Sequence, residues 1–330
     1  MFKPTIMRNL ITGGLGFIGS SLATELLARG EQVCIVDNLS TGSLDNLPRH
    51  AVWEGPLDIT KDVGRVTALA AGCDRIFHLA ACVGVHYVIE NPDLTWKVNV
   101  EGTKHILDIA ETYRLPVFIA SSSEVYGDRD SELYETDATV QTNSTTVYGK
   151  SKWESEVDAL NRMKAGRLTG VIGRLFNVVG QKQTWKYGMV LPTFIKQALR
   201  DEDITIFGDG SQCRSFAHVD VVTHDIVALM NCDSARNHMI NIGSDRSLCI
   251  MDVAVMVKEV VGSNSRIVTV PYKRTIRVDY GNIQARKPNL DQLRSLIERS
   301  EEPCLKDVIS EIRDYMWKSE DKQKFVSGWR

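Results

Sequence analysis

Hydrophobic and polar positions follow two alternating patterns in the first half of the chain. Short runs rich in β-branched and aliphatic residues predict strands, and between them apolar residues recur at helical spacing. We predict strands at residues 9–12, 32–36, 75–79 and 117–120, and helices at 20–29 and 94–113. Such alternation is typical of an α/β fold in which a parallel sheet carries helices on both faces.

The second half of the chain is less regular. Glycine and aspartate form a turn at 208–210, and helical patterns cover 219–230 and 251–261. No repeat or flexible linker separates the halves, so we expect one compact body with its ligand bound at the junction. Residues 1–176 would form the sheet domain, and 177–330 mainly a smaller C-terminal substrate lobe from which some chain returns to the sheet.

Composition narrows the class of protein. The chain has 330 residues, of which 43% are hydrophobic and 25% charged, enough for a large buried core. A formal net charge of -3 argues against broad nucleic-acid binding. No apolar stretch approaches the ~18 residues of a membrane span, and no signal-like region follows the N-terminus. We therefore expect a soluble cytoplasmic protein that binds neither nucleic acid nor membrane.

The cysteines give no pattern of bonding or metal coordination. There are seven, scattered along the chain, and none belongs to a CxxC pair. Such a set is typical of reduced thiols in a cytosolic enzyme. We expect neither a disulfide framework nor a metal site.

Three glycines, Gly13, Gly16 and Gly19, lie between the first predicted strand and the first predicted helix. A turn of this kind must leave the strand sharply, let backbone approach a pyrophosphate, and let the helix pack closely on the strand. The N-terminus of the helix then offers free N–H groups and a positive dipole to the phosphates. The pattern predicts a dinucleotide-binding doubly wound sheet of the Rossmann type.

Acidic residues follow the next strands. Asp37 ends the second strand, where a carboxylate accepts hydrogen bonds from the adenosine ribose and repels a 2′-phosphate. This position favours NAD over NADP as the cofactor. Asp58 and Ile59 follow another short apolar segment and are candidates for the adenine contact, although a solvated loop is an equally ordinary explanation of that aspartate.

Tyr148 and Lys152 are spaced so that a helix places both on one face. A free tyrosine has a pKa near ~10 and is a poor base at neutral pH. We expect the lysine cation to favour the phenolate and lower that pKa. The pair would then take a proton from a hydroxyl group while hydride leaves for nicotinamide.

A polar segment follows the strand predicted at 117–120. Ligands bind at the carboxyl ends of parallel strands, so Ser122 or Ser123 is placed to hydrogen bond a reacting sugar hydroxyl. Glu124 would set a carboxylate beside that chemistry, although a turn-capping role is the simpler alternative.

Together these residues resemble the extended short-chain dehydrogenase/reductases that act on nucleotide sugars, among them UDP-glucuronate decarboxylases and UDP-sugar 4-epimerases. The resemblance covers most of the chain. It rests on residues 12–19, Asp37-Asn38, 78–81, Asn99, 122–127, the pair Tyr148/Lys152, 174–177 and 208–216. These motifs are specific for the family and less specific for the reaction.

The resemblance implies roles for individual residues. Tyr148 would be the base, Lys152 would orient it and bind the nicotinamide ribose, and Ser122 would assist. Further cofactor contacts would come from Phe17, Ile18, Asn38, Leu79, Ala80, Ala81 and Asn99. The substrate would be bound by Val83, Glu124, Asn177, Val190, Ile206, Phe207, Arg214 and Arg286. The two arginines suit a diphosphate because the guanidinium group is bidentate and always charged, and Ile206 and Phe207 would lie near the nucleobase.

In this family the first step is oxidation at carbon 4 of the sugar, and neighbouring residues determine the later steps. Dehydratases of the 4,6 type usually have Asp-Glu where this chain has Ser123-Glu124, and simple 4-epimerases usually have a small residue in place of Glu124. Ser-Glu, together with an Arg-Lys-Pro like that at 286–288, is typical of UDP-glucuronate decarboxylases. We therefore expect decarboxylation of a UDP-hexuronate.

Two departures keep other reactions open. Thr146-Val147 replaces the arginine-containing run typical of decarboxylases, and Val179 replaces a usual tyrosine. A UDP-sugar 4-epimerase or a nucleotide-sugar dehydratase is the alternative. A non-catalytic NAD-binding regulator is a third possibility, against which the intact Tyr–Lys pair argues, and a redox enzyme that releases NADH is a fourth. By family resemblance, helices at 94–113 and 148–163 would form the interface of a homodimer.

Overall fold

The computed structural model describes residues 6–127, 129, 131–137, 146–186, 188–271 and 285–327. The strands are β1 Arg8–Thr12, β2 Gln32–Val36, β3 Val52–Trp53, β4 Arg75–His78, β5 Val117–Ser122, β6 Ser131–Leu133, β7 Gly170–Leu175, β8 Val178–Val179, β9 Ile204–Phe207, β10 Cys213–Ser215, β11 Ala217–His218, β12 Met239–Ile242, β13 Ser247–Cys249, β14 Ile267–Val270 and β15 Ala285–Pro288.

The helices are α1 Phe17–Ala28, α2 Val63–Ala70, α3 Val85–Glu90, α4 Pro92–Trp96, α5 Thr103–Tyr113, α6 Val147–Lys164, α7 Val190–Leu199, α8 Val219–Asn231 and α9 Ile250–Val261, followed by helices over Asp291–Leu296 and Leu305–Ser327. Short 3₁₀-helices cover Leu44–Asn46, Ser123–Tyr126 and Asp233–Ala235. Within the described ranges, no helix combines the length and the apolar character needed to cross a bilayer.

Seven parallel strands form the central sheet in the order β12-β7-β5-β4-β1-β2-β3. The chain order reverses between β1 and β4, because β2 and β3 extend the sheet on one side and β4 begins the other. Ligands of doubly wound sheets bind beyond the carboxyl ends of the strands at such a reversal. The predicted Rossmann fold is confirmed, and β12 adds a strand from the C-terminal half to the sheet.

Apolar side chains cover both faces of this sheet. Neighbouring residues of a strand point to opposite faces, and Leu10 and Ile11 of β1 belong to two different buried clusters. The Ile11 cluster includes residues of α1 and α8, and the Leu10 cluster includes residues of α5 and α6. A third cluster joins α7 and α9 to the helix Leu305–Ser327. The sheet is thus held between two helical layers, with a further core in the C-terminal lobe.

Three of the differences from the predicted element boundaries affect the site. Helix α1 begins at Phe17, earlier than predicted, because Gly16 is its N-cap residue. Strand β5 extends as far as Ser122, so this serine is the last residue of a buried strand. The helix predicted at 94–113 is a longer helical run interrupted by the π-helix Lys97–Gly102. Short π-helical segments within α-helices often occur at functional sites.

A second sheet has four strands in the order β13-β10-β15-β6. The antiparallel pairing of β10 with β13 sets Cys213 opposite Cys249, and the two form a disulfide. The expectation that all cysteines are reduced and unpaired is wrong for this pair. The two residues are separated by 36 positions in the sequence, and it is strand register that brings them together.

Candidate active site

The glycine turn between β1 and α1 has no room for side chains. Gly13 has a φ of 70°, and a Cβ there would lie 2.7 Å from the main-chain nitrogen of Ala80. A Cβ at Gly19 would collide with the carbonyl oxygen of Gly13. The first turn of α1 has no side-chain cap and no acidic residue. Its free N–H groups and dipole therefore fit the pyrophosphate of a dinucleotide. Phe17 and Ile18, at the start of the helix, are half-buried.

Asp37 is buried at the end of β2 and is held by the glycine turn. Its Oδ2 accepts a hydrogen bond from the N–H of Leu15 at 2.9 Å, and its Oδ1 accepts one from the N–H of Leu39 at 2.8 Å. Burial raises the pKa of Asp37, while these two hydrogen bonds act to lower it. Each carboxylate oxygen has a further lone pair, so a ribose hydroxyl can still donate to it.

The residues predicted to lie near the adenosine come together beside Asp37. The amide of Asn38 donates to Asp58 Oδ2 at 3.3 Å, and Thr60 Oγ1 donates to Asp58 Oδ1 at 2.6 Å. The side chain of Ile59 is buried, and its carbonyl oxygen lies 3.0 Å from His105 Nδ1. Asn38 and Asp58 therefore lie at one surface. Because the side chain of Ile59 is buried, Ile59 can contact a ligand mainly through its backbone.

The segment after β4 lies against the glycine turn. Leu79, Ala80, Ala81 and Val83 are half-buried, and the N–H of Ala80 donates to Thr12 Oγ1 at 3.3 Å. Asn99 is fully buried, where its Oδ1 accepts from the N–H of Cys82 at 2.8 Å and its Nδ2 donates to Ser151 Oγ at 3.0 Å. Asn99 thus connects the segment after β4 to helix α6.

Lys152 is buried on α6, one helical turn after Tyr148. Its Nζ donates to the carbonyl oxygen of Ala120 in β5 at 2.8 Å and lies 6.0 Å from the centre of the Tyr148 ring. Burial lowers the pKa of Lys152 to about 8. The lysine therefore connects the helix of the Tyr–Lys pair to the strand that ends at Ser122.

The pKa of Tyr148 differs from the sequence-based prediction. Burial and the negative charge of Glu124 raise it, while a hydrogen bond with Ser122 acts to lower it. The expectation that Lys152 lowers this pKa is wrong for the protein alone, because the ammonium group is bonded to Ala120 and the ring is desolvated. A positive charge brought by a bound nicotinamide would favour the phenolate, as any nearby cation does.

Glu124 lies between Ser122, Thr146 and Arg286. Its N–H donates to Ser122 Oγ at 3.2 Å, and its Oε2 accepts from Thr146 Oγ1 at 3.1 Å. Burial raises the pKa of Glu124, while the charge of Arg286 and the hydrogen bond from Thr146 lower it. The structure therefore brings the predicted residues Ser122, Glu124, Tyr148 and Arg286 together. Ser123 is buried in the 3₁₀-helix Ser123–Tyr126 between them.

The two arginines predicted to bind substrate occupy neighbouring strands. Parallel pairing of β10 with β15 sets Arg214 directly beside Arg286. Arg286 Nη2 donates to the carbonyl oxygen of Gly127 at 3.1 Å, and Arg214 Nη1 donates to that of Cys213 at 2.7 Å. Asn177, between β7 and β8, donates from Nδ2 to the carbonyl oxygen of Ser215 at 3.0 Å. These contacts place the predicted anion-binding groups around one sheet of the C-terminal lobe.

The remaining substrate candidates are distributed over the same lobe. Val190 is the first residue of α7 and is half-buried. Ile206 is 1% exposed within the third apolar cluster, whereas Phe207 is 39% exposed. Of these two neighbours, Phe207 is therefore the residue with the more exposed side chain.

Sequence reasoning missed three residues that support the site. Glu156, one turn after Lys152 on α6, forms a buried ion pair with Arg174 at 2.7 Å and accepts from Ser121 Oγ at 2.5 Å. A carboxylate four positions after a functional lysine was the available signal. Thr146 was missed as a site residue although a threonine directly before a helix is an N-cap signal. His78 lies between Thr12 and Thr103, and burial lowers its pKa to about 3, so its ring is neutral.

A dinucleotide cradle that opens beside a Tyr–Lys pair defines a short-chain dehydrogenase/reductase. Residues 9–243 match the NAD dependent epimerase/dehydratase family, and the chain belongs to that family. It is therefore an NAD-dependent enzyme, as the glycine turn and Asp37 predicted.

Three known proteins illustrate the relationship. The chain is 33% identical to the UDP-N-acetyl-alpha-D-glucosaminuronate decarboxylase of Bacillus cytotoxicus over 93% of this chain and 98% of that protein. It is 32% identical to UDP-glucuronic acid decarboxylase 1 of Danio rerio over 88% of this chain and 68% of that protein. The crystal structure of a mutant UDP-glucuronic acid 4-epimerase from Bacillus cereus, in complex with NAD and a fluorinated UDP-glucuronic acid, superposes with a TM-score of 0.83. That alignment covers 94% of this chain and 99% of the epimerase at 25% identity.

Proposed function

We propose that this enzyme decarboxylates a UDP-hexuronate after transient oxidation at carbon 4 of the sugar. The observation that carries the proposal is the position of Glu124, whose carboxylate is hydrogen bonded to Thr146, two residues before Tyr148, and interacts electrostatically with Arg286 and Tyr148. An arginine beside the base can hold an anionic substrate, and a carboxylate there disfavours tight binding of the substrate's own carboxylate. The two decarboxylases similar to this chain support the same reaction.

NAD fits the cradle formed by Gly13, Gly16, Gly19 and Asp37, and when bound it would accept hydride from carbon 4 and later return it. Tyr148 would take the proton of the carbon-4 hydroxyl, with Ser122 hydrogen bonded to its oxygen. The resulting 4-keto sugar is a β-keto acid, so its carboxylate leaves as carbon dioxide and the bonding electrons pass to the enolate.

Arg286 and Glu124 have opposite roles in this scheme. The guanidinium group of Arg286 would hold the anionic substrate. The negative charge of Glu124 would disfavour tight binding of the sugar carboxylate and so favour its departure as a neutral molecule. Glu124 would also exchange a proton with the sugar at the enolate stage. Return of the hydride and of the Tyr148 proton would then give a UDP-pentose.

A 4-epimerase is the second candidate, and one comparison favours it. The superposed Bacillus cereus enzyme is named as a 4-epimerase of UDP-glucuronic acid, so a carboxylate-bearing sugar does not by itself imply decarboxylation. In that case Glu124 would only position the sugar, and its carboxyl group would remain in the product.

Incubation of the purified protein with NAD and UDP-glucuronate, UDP-N-acetylglucosaminuronate or UDP-glucose tests the proposal. Product masses distinguish loss of carbon dioxide, loss of water and no mass change, and chromatography then separates epimers. We expect loss of carbon dioxide from a hexuronate, with no accumulation of NADH. Conversion without mass change would establish the epimerase instead. Tyr148→Phe provides the inactive control.

We also propose that the enzyme is a homodimer that uses the helices at 92–113 and 147–164. Leu94 and Trp96 on α4 and Tyr113 on α5, all within the first of these segments, are each more than two-fifths exposed. Exposed apolar side chains on a helical segment favour association. Light scattering of the purified protein measures this directly, and a monomer at micromolar concentration would refute it.

A further inference from the structure

Thr146 occupies the last extended position before helix α6. Its φ and ψ are -88° and 137°, and its Oγ1 accepts a hydrogen bond from the N–H of Gly149 at 2.9 Å. This contact satisfies one of the free N–H groups in the first turn of the helix that bears Tyr148. The threonine is 8% exposed.

The same hydroxyl group makes a second contact. Thr146 Oγ1 lies 3.1 Å from Glu124 Oε2. A hydroxyl group has one proton and two lone pairs. Because Gly149 donates to the oxygen, the proton is available to Glu124, and Thr146 is the donor. One atom therefore connects the N-terminal turn of the Tyr148 helix to the Glu124 carboxylate.

Glu124 is held at two points as a result. Its main-chain N–H is bonded to Ser122, and Oε2 of its side chain is bonded to Thr146. Among the described residues, no hydrogen bond engages the other carboxylate oxygen, Oε1. In the described part of the chain, Arg286, from β15, and Tyr148, from α6, are the charged and titratable groups that face this carboxylate.

We propose that Thr146 is a positioning residue that fixes the Glu124 carboxylate, so that Oε1 is presented to the sugar while Oε2 is held at the start of α6. The proposal rests on the proposed function, because it assigns the group that orients Glu124 for that reaction. A capping role alone would stabilise α6 without any effect that depends on Glu124. The two roles therefore predict different results in variants that also lack the Glu124 charge.

A double-mutant cycle with Thr146→Val and Glu124→Gln separates these roles. We expect Thr146→Val alone to lower kcat ~10-fold or more, as for loss of a hydrogen bond to a charged group, with the NAD content of the enzyme unchanged. In the Glu124→Gln background the same substitution should have little further effect on kcat. Thr146→Ser keeps the hydroxyl group and should restore kcat. Thr67→Val removes a helical hydroxyl group bonded to Val63 at 2.7 Å and is the matched control.

Thr146→Gly is a second variant for the case in which loss of the cap is harmful. Glycine is tolerated at the N-cap position and has no side-chain proton to donate to Glu124. A positioning role predicts a lower kcat in this variant, whereas a capping role predicts an unchanged kcat. In the unmodified protein the hydrogen bond from Thr146 lowers the pKa of Glu124. Thr146→Val removes this hydrogen bond, so the pKa of Glu124 should rise and the acid limb of the kcat profile should move to higher pH.

Two outcomes keep this proposal distinct from the function on which it rests. If the unmodified enzyme converts no nucleotide sugar, the proposed function fails, and crystal structures of the unmodified protein and Thr146→Val then test Thr146 without substrate. We expect the Glu124 carboxylate to move in Thr146→Val while the first turn of α6 is retained. An unmoved carboxylate, or an equal loss of kcat in both Glu124 backgrounds, would overturn the role of Thr146.

Discussion

Lys152 Nζ is bonded to the main-chain carbonyl of Ala120 at 2.8 Å, and not to the hydroxyl group of Tyr148. The lysine therefore fixes the distance between helix α6 and the end of strand β5. Tyr148 is instead hydrogen bonded to Ser122, the last residue of that strand. Removal of the tyrosine oxygen should accordingly affect the chemistry much more than the fold.

Tyr148→Phe keeps the ring and removes the group that takes the proton. We expect kcat to fall by ~10²–10⁴-fold, the usual contribution of a positioned acid or base. Substrate affinity, measured by calorimetry in the presence of NAD, should change little. Tyr134→Phe, an exposed residue in a different segment, serves as the control. Near-normal turnover in Tyr148→Phe would require another base.

Asp37→Asn should weaken NAD binding and reduce discrimination against NADP. An amide nitrogen cannot accept a hydrogen bond, so one of the contacts from Leu15 and Leu39 is lost, together with the charge that repels a 2′-phosphate. We expect a loss of ~10-fold or more in NAD affinity, as for a hydrogen bond to a charged group. Titration with NAD and NADP measures both effects, and Asp233→Asn on the exposed surface is the control. Equal affinity of the unmodified protein for the two cofactors would contradict this assignment.

Gly19→Ala tests the close packing of the turn on helix α1. The added Cβ would collide with the carbonyl oxygen of Gly13, and backbone cannot move aside at low cost. We expect a destabilisation of ~1–3 kcal/mol and loss of NAD binding. Thermal unfolding measured with and without NAD tests both effects. In Gly64→Ala the new Cβ meets no atom within 4 Å, so this variant should keep both properties.

The parts of the fold that depend on short-range sequence patterns were predicted correctly. Strands β1, β2, β4 and β5 and the glycine turn are of this kind, because periodicity and turn chemistry depend on residues close in sequence. Strands β3, β7 and β12 of the central sheet were not predicted. Contacts between distant segments could not be found in this way. Cys213 meets Cys249 through strand register, and Thr146 meets Glu124 through the packing of α6 on β5.

The pKa of Tyr148 is a second property that sequence patterns could not predict. The spacing of Tyr148 and Lys152 correctly placed both on one helix, but spacing contains no information about burial or about the partner of the ammonium group. Ala120 supplies that partner, and Glu124 supplies a negative charge. Both come from β5 and the turn that follows it, so the direction of the pKa shift required the tertiary structure.

His78 should make the stability of the protein depend on pH in the acid range. Burial lowers its pKa from 6.5 to about 3, so between these values the unfolded chain binds a proton that the folded protein does not. The free energy of unfolding therefore falls as pH decreases from 6.5 towards 3, by up to ~1.4 kcal/mol per pH unit from this group. Urea unfolding at several pH values should show a shallower dependence for His78→Gln. His238→Gln, at an exposed histidine, should keep the original dependence.

Substitutions of Glu124 and Arg286 should have different kinetic effects, because Glu124 acts on the reacting sugar and Arg286 holds an anion. Glu124→Gln keeps the size of the side chain and removes its charge. Oxidation at carbon 4 would continue while release of carbon dioxide slows, so a 4-keto sugar or NADH should accumulate. Arg286→Ala should chiefly raise KM, since a charge-assisted hydrogen bond to a phosphate or carboxylate contributes ~1.5–3 kcal/mol. Rapid-mixing absorbance of NADH, combined with product masses, distinguishes the two effects. Unchanged product formation in Glu124→Gln would leave this residue as a turn residue only and would favour the 4-epimerase.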